Sequence, residues 1–413
     1  MKVLYPCCAG LDVHKQFVVA CVLTCQEDGQ ADKETRRFAT VTDDLLQMSD
    51  WLQTKGCTHL AMESSGVYWK PIFNLLEGSF KVLVVNAQHM KAIPGKKTDV
   101  KDAEWIADLL QHGLLKASFI PGQDQRDLRD LTRYRTTLIQ ERARLTNRLQ
   151  KLLEEANLKL SSVLSEVLGK TGRLILHALA SGETDPEKLA DLALERLPQK
   201  RAAIAQALGG RFRDHHRFLL QELLEAIEYH DRAIARLDAH IAEHLRPFQE
   251  TIQRLDEITG VGRGCLETLF AEVGSDVTPF PDAAHVASWA GLCPGNNESG
   301  GKRLGGRIRQ GNHWVKIALV QAAHAAAHTK NTYLGAQYRR LKLRLGAKRA
   351  AIAVAHSILL IYYQMLATGE SYHEKGGDYF LVRDQQQVEH RLVKQLERLG
   401  HKVILLPNAQ ASA

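Results

Sequence analysis

Gly10-Leu11-Asp12-Val13-His14-Lys15 closes a short apolar run that starts at Cys8, and a second apolar run, Phe17 to Leu23, follows almost at once. Two such runs with so short a gap read as neighbouring paired strands. Arg36 to Thr40 supplies a third strand. Thr42 is placed to cap a helix whose apolar positions, Leu45, Leu46, Met48, Trp51 and Leu52, recur at helical spacing. His59 to Met62 reads as a strand that stops at Glu63, with Ser64-Ser65-Gly66 opening the next helix. Lys81 to Val85 is a fifth strand and Asp99 to Gln111 a further helix.

Three strands, a helix, a strand, a helix, a strand and a helix is the order of the ribonuclease-H-like fold. In that order the acids fall where metal chemistry needs them. Asp12 belongs to the first strand, Glu63 ends the fourth, and Asp99 and Asp102 are three apart on a helix, hence on one face. Unpaired carboxylates brought together repel one another, so a cluster of them in a fold implies bound cations. Two Mg²⁺ (or Mn²⁺) ions held by such a set can activate an attacking oxygen and stabilise a leaving one in phosphoryl transfer. Any single acid of the set reads more simply as a surface carboxylate; the strand order argues for the set. Lys15, Lys96 and Lys97 put positive charge beside the acids, where a DNA backbone would pass or where solubility alone would be served.

The whole chain of 413 residues carries +7, yet Ser299 to Gly369 holds 12 Lys and Arg and no Asp or Glu, so the remainder sums to about −5 (7 − 12). Concentrated positive charge points to phosphates. It begins in the loop Pro294-Gly295-Asn296-Asn297-Glu298-Ser299-Gly300-Gly301-Lys302-Arg303, whose glycines permit close backbone approach and whose serine is a potential nucleophile. An ordinary surface turn before a solvated basic helix is the competing reading. Lys302, Arg303, Arg307, Arg309 and Lys316 are the expected phosphate contacts. Gly301-Lys302 has Asn296 where a P-loop needs its first glycine, and Asn297 precedes Ser299 where a hydrolase elbow needs glycine, so both of those motifs are excluded. Upstream, Gly260-Val261-Gly262 resembles a helix-hairpin-helix turn, whose backbone amides can hold a phosphate without reading sequence.

Between these regions Leu131, Leu138, Leu145 and Leu152 repeat every seven residues, and Leu220, Ile227, Ile234, Ile241 and Phe248 do the same. Two long heptad helices imply a coiled coil, packed on itself or between subunits. Arg126, Arg129, Arg133, Arg135, Arg142, Arg144 and Arg148 occupy the other faces of the first. The connector from Ser161 to Arg213 is helical by composition, and His215-His216 reads as a structural pair at a helix start. Charged residues at 24% and hydrophobic at 45% are globular values. No run of 18 apolar residues and no secretory leader are evident, and the seven cysteines form no CxxC pair. A cytoplasmic protein without membrane contact is expected.

Gly10 to Lys15, Met62-Glu63-Ser64-Ser65-Gly66 and Lys97-Thr98-Asp99-Val100-Lys101-Asp102-Ala103 resemble the DEDD motifs of the IS-one-ten family of insertion-sequence transposases, relatives of Piv-type DNA invertases. Ala287-Ser288-Trp289-Ala290-Gly291-Leu292 followed by Ser299-Gly300 is similar to the family's second conserved region. The resemblance implies a RuvC-like catalytic domain and a covalent phosphoserine formed by Ser299 with the metal-bound acids assisting. It implies donor and target DNA as substrates, a homo-oligomer (dimer or tetramer), and an element-encoded guide, or bridge, RNA. Asp12, Glu63, Asp99, Asp102 and Ser299 are thus the expected catalytic residues.

The expected fold is α/β plus α. A RuvC-like domain spans 1–125, a coiled-coil dimerisation region 126–250, and a mostly helical serine-bearing DNA-binding domain with the Gly260–Gly262 turn 251–370. The tail of 371–413 includes a helix end at Gly400 and a short strand before Leu406. A metal-dependent junction nuclease that dispenses with Ser299, a Piv-type invertase and a non-catalytic nucleic-acid scaffold are the alternatives.

Overall fold

A computed structural model describes residues 3–25, 31–64, 66–86, 99–295, 297–300, 302–308, 310–383 and 385–405. The chain divides into two compact units, Met1–Ile120 and Pro121–Ala413.

The first unit runs β1 (Cys7–Val13), β2 (Phe17–Cys25), β3 (Ala31–Ala39), α1 (Thr42–Thr54), β4 (His59–Glu63), α2 (Trp69–Leu76), β5 (Lys81–Val85) and α3 (Asp99–Gln111). Its five-stranded sheet has the order β3-β2-β1-β4-β5, with the β3–β2 and β2–β1 pairs antiparallel and β4 parallel to both β1 and β5. This mixed α/β unit fits a ribonuclease-H-like domain. Alternation along the strands sends Ala9, Leu11, Val13, Leu60 and Met62 to a core shared with α1 and α2. The opposite face puts Cys8, Ala61 and Val85 beneath Ile106, Leu109 and Leu110 of α3.

Three local expectations change. Thr42 is the first helical residue of α1 and not its cap; Val41 stands at the cap position, and Asp44 accepts the Ala39 amide at 3.1 Å. Ser64 to Gly66 does not open α2: the Ser64 amide continues the β4–β5 ladder to the Val85 carbonyl at 2.9 Å, and the helix starts at Trp69. β3 begins five residues before Arg36, and its charged Asp32, Lys33 and Glu34 are accommodated because it is an edge strand.

The second unit opens with α4 (Gln123–Glu155), α5 (Leu160–Val163), α6 (Lys170–Ala180), α7 (Pro186–Asp191), α8 (Arg201–Ala207) and α9 (Asp214–His244). The 33-residue α4 and 31-residue α9 lie antiparallel, since Arg142 pairs with Asp231 and Arg135 with Asp238. Leu138, Leu149 and Leu152 face Leu220, Ile227 and Ile241 as buried seam residues. The heptads therefore pack, at least in part, within one chain, and α9 stops before Phe248, whose ring meets that of Phe270 at 5.8 Å, tilted by 49°. The stretch expected as a connector forms a core of its own: Leu160, Leu176, Leu189 and Ile204 close over the far ends of the two long helices. His216 is buried at the start of α9 and accepts the Arg213 amide through Nδ1 at 3.2 Å, a structural role.

The unit continues with α10 (Gln249–Leu255), α11 (Arg263–Glu272), α12 (Ala283–Trp289), β6 (Asn297–Ser299), β7 (Lys302–Gly305) and α13 (His313–His328). It ends with α14 (Tyr333–Leu345), α15 (Ala347–Thr368), α16 (Tyr379–Arg383) and α17 (Gln385–Arg398). α15 is long and apolar enough by length and composition to cross a membrane. Its Ala351, Val354, Ile358, Leu359 and Tyr362 are buried, however, and it packs on α12, α13 and α14 as a core helix. Residues 401–405 are irregular where a short strand was expected.

Several arginines of α4 are not on a solvated face. Glu272, with no exposed surface, receives both Arg133 nitrogens at 2.6 and 2.8 Å and the Asn312 amide at 2.7 Å, while Arg129 donates to the Ala271 carbonyl at 2.9 Å. Arg135, also buried, pairs with Glu267. A buried carboxylate is tolerated only when fully paired, and removing one partner leaves the others charged and dry. Glu272→Ala is expected to lower unfolding free energy by about 3–5 kcal/mol, read as a drop in the urea midpoint followed by helical circular dichroism.

Candidate acidic centre and serine hairpin

The placement of the acids follows from one contact. A Cβ built on Gly10 would stand 2.2 Å from the Ala103 carbonyl oxygen and 2.4 Å from the Ala107 nitrogen, so α3 lies directly on the β1 backbone. Cys8 Sγ meets the Ala107 carbonyl at 3.7 Å. Two residues up the strand therefore match four residues down the helix, about 6.6 Å against about 6 Å, and the helix runs antiparallel to β1. One further step along both brings position 99 to the level of Asp12.

The two rows of α3 then sort its acids. Ala103 and Ala107 pack over Val19, Cys21 and Leu23 on the β1–β2 side, and Asp99 is the next residue up that row. Ile106 and Leu110 pack over Ala61 and Val85 on the β4–β5 side, and Asp102 is one turn above Ile106. Asp12 and Glu63 leave the same sheet face, each one residue beyond the parallel pair Leu11↔Met62. Asp12, Glu63 and Asp102 are all half-buried. His14 Nε2 lies 2.8 Å from Asp12 Oδ2 across the turn into β2, and Lys15 is exposed in that turn. Asp99 is described only as part of the helix. Among the described side chains no group of three Asp, Glu, His or Cys is close enough to hold a metal ion. Lys96 and Lys97 lie outside the described residues. The acids also suit the first turn of a helix, whose free amides favour negative charge without any cation.

Ser299 ends β6 and pairs with Lys302 of β7, so the chain reverses between them, with φ +58° at Gly300. Positive φ at this position is what such tight hairpins require and what glycine supplies. Arg303 pairs opposite Glu298, and the ladder is closed below by the Gly295 amide on the Arg307 carbonyl at 2.9 Å. The stretch expected as a polar loop is thus a β-hairpin with the serine at its tip. At its base, Asn312 caps α13 by accepting the Trp314 and Val315 amides at 3.0 and 3.1 Å while donating to buried Glu272. That anchoring pair escaped the sequence reading; Glu267 and Glu272 within an otherwise apolar helix were the available signal. Arg307 is exposed, Lys316 half-buried on α13, and Arg309 lies outside the described residues.

Gly260 has φ +84° and a Cβ there would meet the Ala322 carbonyl at 2.5 Å, so this glycine is used for packing against α13. Gly262 is exposed at the N-cap of α11 with open space around it.

A family model of the DEDD transposases of the IS110 group matches residues 9–158, and a second, described as the transposase IS116/IS110/IS902 family, matches residues 252–339. The chain belongs to the IS110 (IS-one-ten) family of insertion-sequence transposases. It is 26% identical over 370 residues to a probable family 20 transposase of Pseudomonas aeruginosa, covering 88% of this chain and 97% of the relative. It is 27% identical over 296 residues to the transposase for insertion sequence element IS1111A of Coxiella burnetii, covering 70% and 72%. An insertion element IS110 protein of 43.6 kDa from Streptomyces coelicolor is 28% identical over 312 residues, covering 68% and 74%. This transposase is therefore of a class that cuts and rejoins DNA, and dependence on divalent metal is general among DEDD transposases.

Gly10→Ala inserts a methyl group into backbone with no side chain to yield, and overpacking of that kind costs about 1–3 kcal/mol or more. Hydrogen exchange across 99–111 is expected to accelerate in this variant while exchange in α1 changes little. Equal protection of both helices would show that the contact does not hold α3.

Proposed function

We propose that this transposase breaks and rejoins DNA through a covalent bond between Ser299 and a DNA phosphate, with Asp12, Glu63, Asp99 and Asp102 as its metal-holding carboxylates. The observation that carries the reading is the register of α3 on β1. It supports a cluster of four acids at one end of the sheet, Asp99 above Asp12 and Asp102 towards Glu63. All four donors are hard oxygens, which suits Mg²⁺ or Mn²⁺. Such cations, when bound, would offset the negative charge that develops on phosphate oxygens.

The residues themselves supply the rest. The Ser299 hydroxyl, on a residue next to a hairpin turn, attacks phosphorus: its oxygen forms a new P–O bond, the bond to one deoxyribose oxygen breaks, and that oxygen leaves as a strand-end hydroxyl while the serine gives up its proton, so the phosphate stays a diester that a strand-end hydroxyl can attack to rejoin. Asp12, fixed by His14, is held in one orientation. Arg307, exposed just beyond β7, and Lys316 on α13 supply positive charge after the serine, with Lys302, Arg303 and Arg309 adding theirs in the same stretch of sequence, and the Gly262 amide at the α11 terminus suits a further phosphate. Guidance by a structured RNA would leave these contacts without any need to read bases. Exposed Tyr134 and Ile139 on α4 and Tyr229 on α9 offer apolar surface for association of subunits.

Ser299→Ala is expected to abolish a protein–DNA adduct trapped under denaturing conditions while duplex binding persists, and Asp12→Asn to lose strand exchange with the fold intact. An adduct that survives in Ser299→Ala, or that mass spectrometry maps elsewhere, would end the serine reading. Metal-dependent cleavage without any adduct would favour a junction nuclease instead. Separately, Arg307→Ala is expected to reduce the slope of log affinity against log salt by about 0.9 on duplex DNA, measured by fluorescence anisotropy. An unchanged slope would mean that Arg307 faces solvent alone.

A further inference from the structure

The acid-free basic block does not end at the serine hairpin. A cleft of about 900 Å³ opens between α14 and the α16–α17 segment, lined by Arg339, Arg340, Arg344, Arg383 and Arg391 and by no acidic side chain among the described residues. Its lining from Arg340 onward lies beyond the residues that the family models match.

The cleft wall is a folded element. Phe380 stacks on Tyr333 at 5.2 Å with the rings 19° apart, and Tyr379 meets both edge-on at 5.1 and 5.3 Å. Glu374 ties the same segment down by accepting the Tyr333 amide at 2.7 Å and the Thr259 hydroxyl at 2.9 Å. The guanidiniums of Arg340 and Arg383 lie over the Phe380 ring at 5.1 and 5.3 Å, which aligns two planar cations along one wall. Arginine carries a fixed fork of donors that matches phosphate oxygens, and Arg339, Arg344 and Arg391 bring like charges into one concavity that an anion would offset. Apolar surface is left open in the same cleft: Leu343 is 92% and Leu381 54% exposed. A duplex offers a protein mainly its phosphates, whereas a single strand offers phosphates together with unstacked base faces.

We propose that this cleft binds a single-stranded segment of nucleic acid, its phosphates on Arg339, Arg344 and Arg391 and its bases against the exposed Leu343 and Leu381. The inference rests on reading the chain as a nucleic-acid enzyme but requires nothing of Ser299 or the acids.

The test uses the full-length chain with Arg339, Arg344 and Arg391 all changed to alanine, and a second variant with all three changed to lysine. Anisotropy is measured with a labelled single-stranded RNA, a single-stranded DNA of the same sequence and a duplex DNA over a range of salt. The alanine variant is expected to lose about two units from the slope of log affinity against log salt for a single strand, at about 0.7 per lost contact, with a smaller change for the duplex. The lysine variant, which keeps the charge, is expected to hold that slope. A larger loss on RNA assigns the cleft to an RNA; a larger loss on DNA assigns it to a strand freed during exchange. Unchanged single-strand binding in the alanine variant, equal losses on single strand and duplex, or a lysine variant as impaired as alanine would each overturn the proposal. No cleavage is read, so failure of the serine chemistry leaves this result standing, and its failure leaves the serine chemistry untouched.

Discussion

The approach of α3 to β1 at Gly10 is a contact of backbone on backbone, and the acidic end of the first unit depends on it. With any side chain at position 10 the helix would have to rise from the sheet, and the levels of 99 and 102 relative to Asp12 and Glu63 would shift with it. Hydrophobic packing alone would not fix this level. Ala103, Ala107, Ile106 and Leu110 are small or smooth enough to slide by a turn, whereas the steric fit at Gly10 admits one height. Packing of one helix on two parallel strands thus sets the level at which Asp102 stands relative to Asp12 and Glu63.

The second unit relies on a different device. Glu272 and Glu267 are buried on α11, and the arginines that neutralise them come from α4, far upstream in sequence. Such pairs contribute little net stability against an apolar alternative, but they specify how two helices meet, because every misalignment leaves a dry charge. Asn312 joins the same carboxylate, so the helix that follows the serine hairpin is indexed to α4 by hydrogen bonds.

Strand order in the first unit was legible because each strand is a short apolar run bounded by polar residues, and the resulting order places Asp12 and Glu63 on adjacent strand ends. The edge strand was misjudged in length because edge position, which excuses its charges, is not visible locally. Ser64 to Gly66 looked like a helix start because small polar residues also serve ladder ends. In the second unit both heptad stretches fall on long helices that lie side by side, and periodicity cannot say whether the partner of such a helix lies in the same chain. The arginines of α4 could be read only as occupying faces away from the seam, because the partners of Arg133 and Arg135, Glu272 and Glu267, lie over a hundred residues away. Gly300 was read as allowing close approach, whereas its place after Ser299, which pairs with Lys302, puts it in the turn of a hairpin.

The helical core of 156–213 enters and leaves the long hairpin at one point, where the Arg211 amide bonds the Ala156 carbonyl at 2.9 Å and the Lys159 amide the Ala207 carbonyl at 2.8 Å. It is carried at the end of two helices roughly 45 Å long, at about 1.5 Å per residue. The near end of that arm is gripped through Arg133 and Glu272, and Glu272 in turn holds Asn312 at the foot of the serine hairpin. A stiff arm fixed at its root behaves as a lever. Through Arg133, Glu272 and Asn312 the root of that arm and the foot of the hairpin that bears Ser299 share one buried carboxylate.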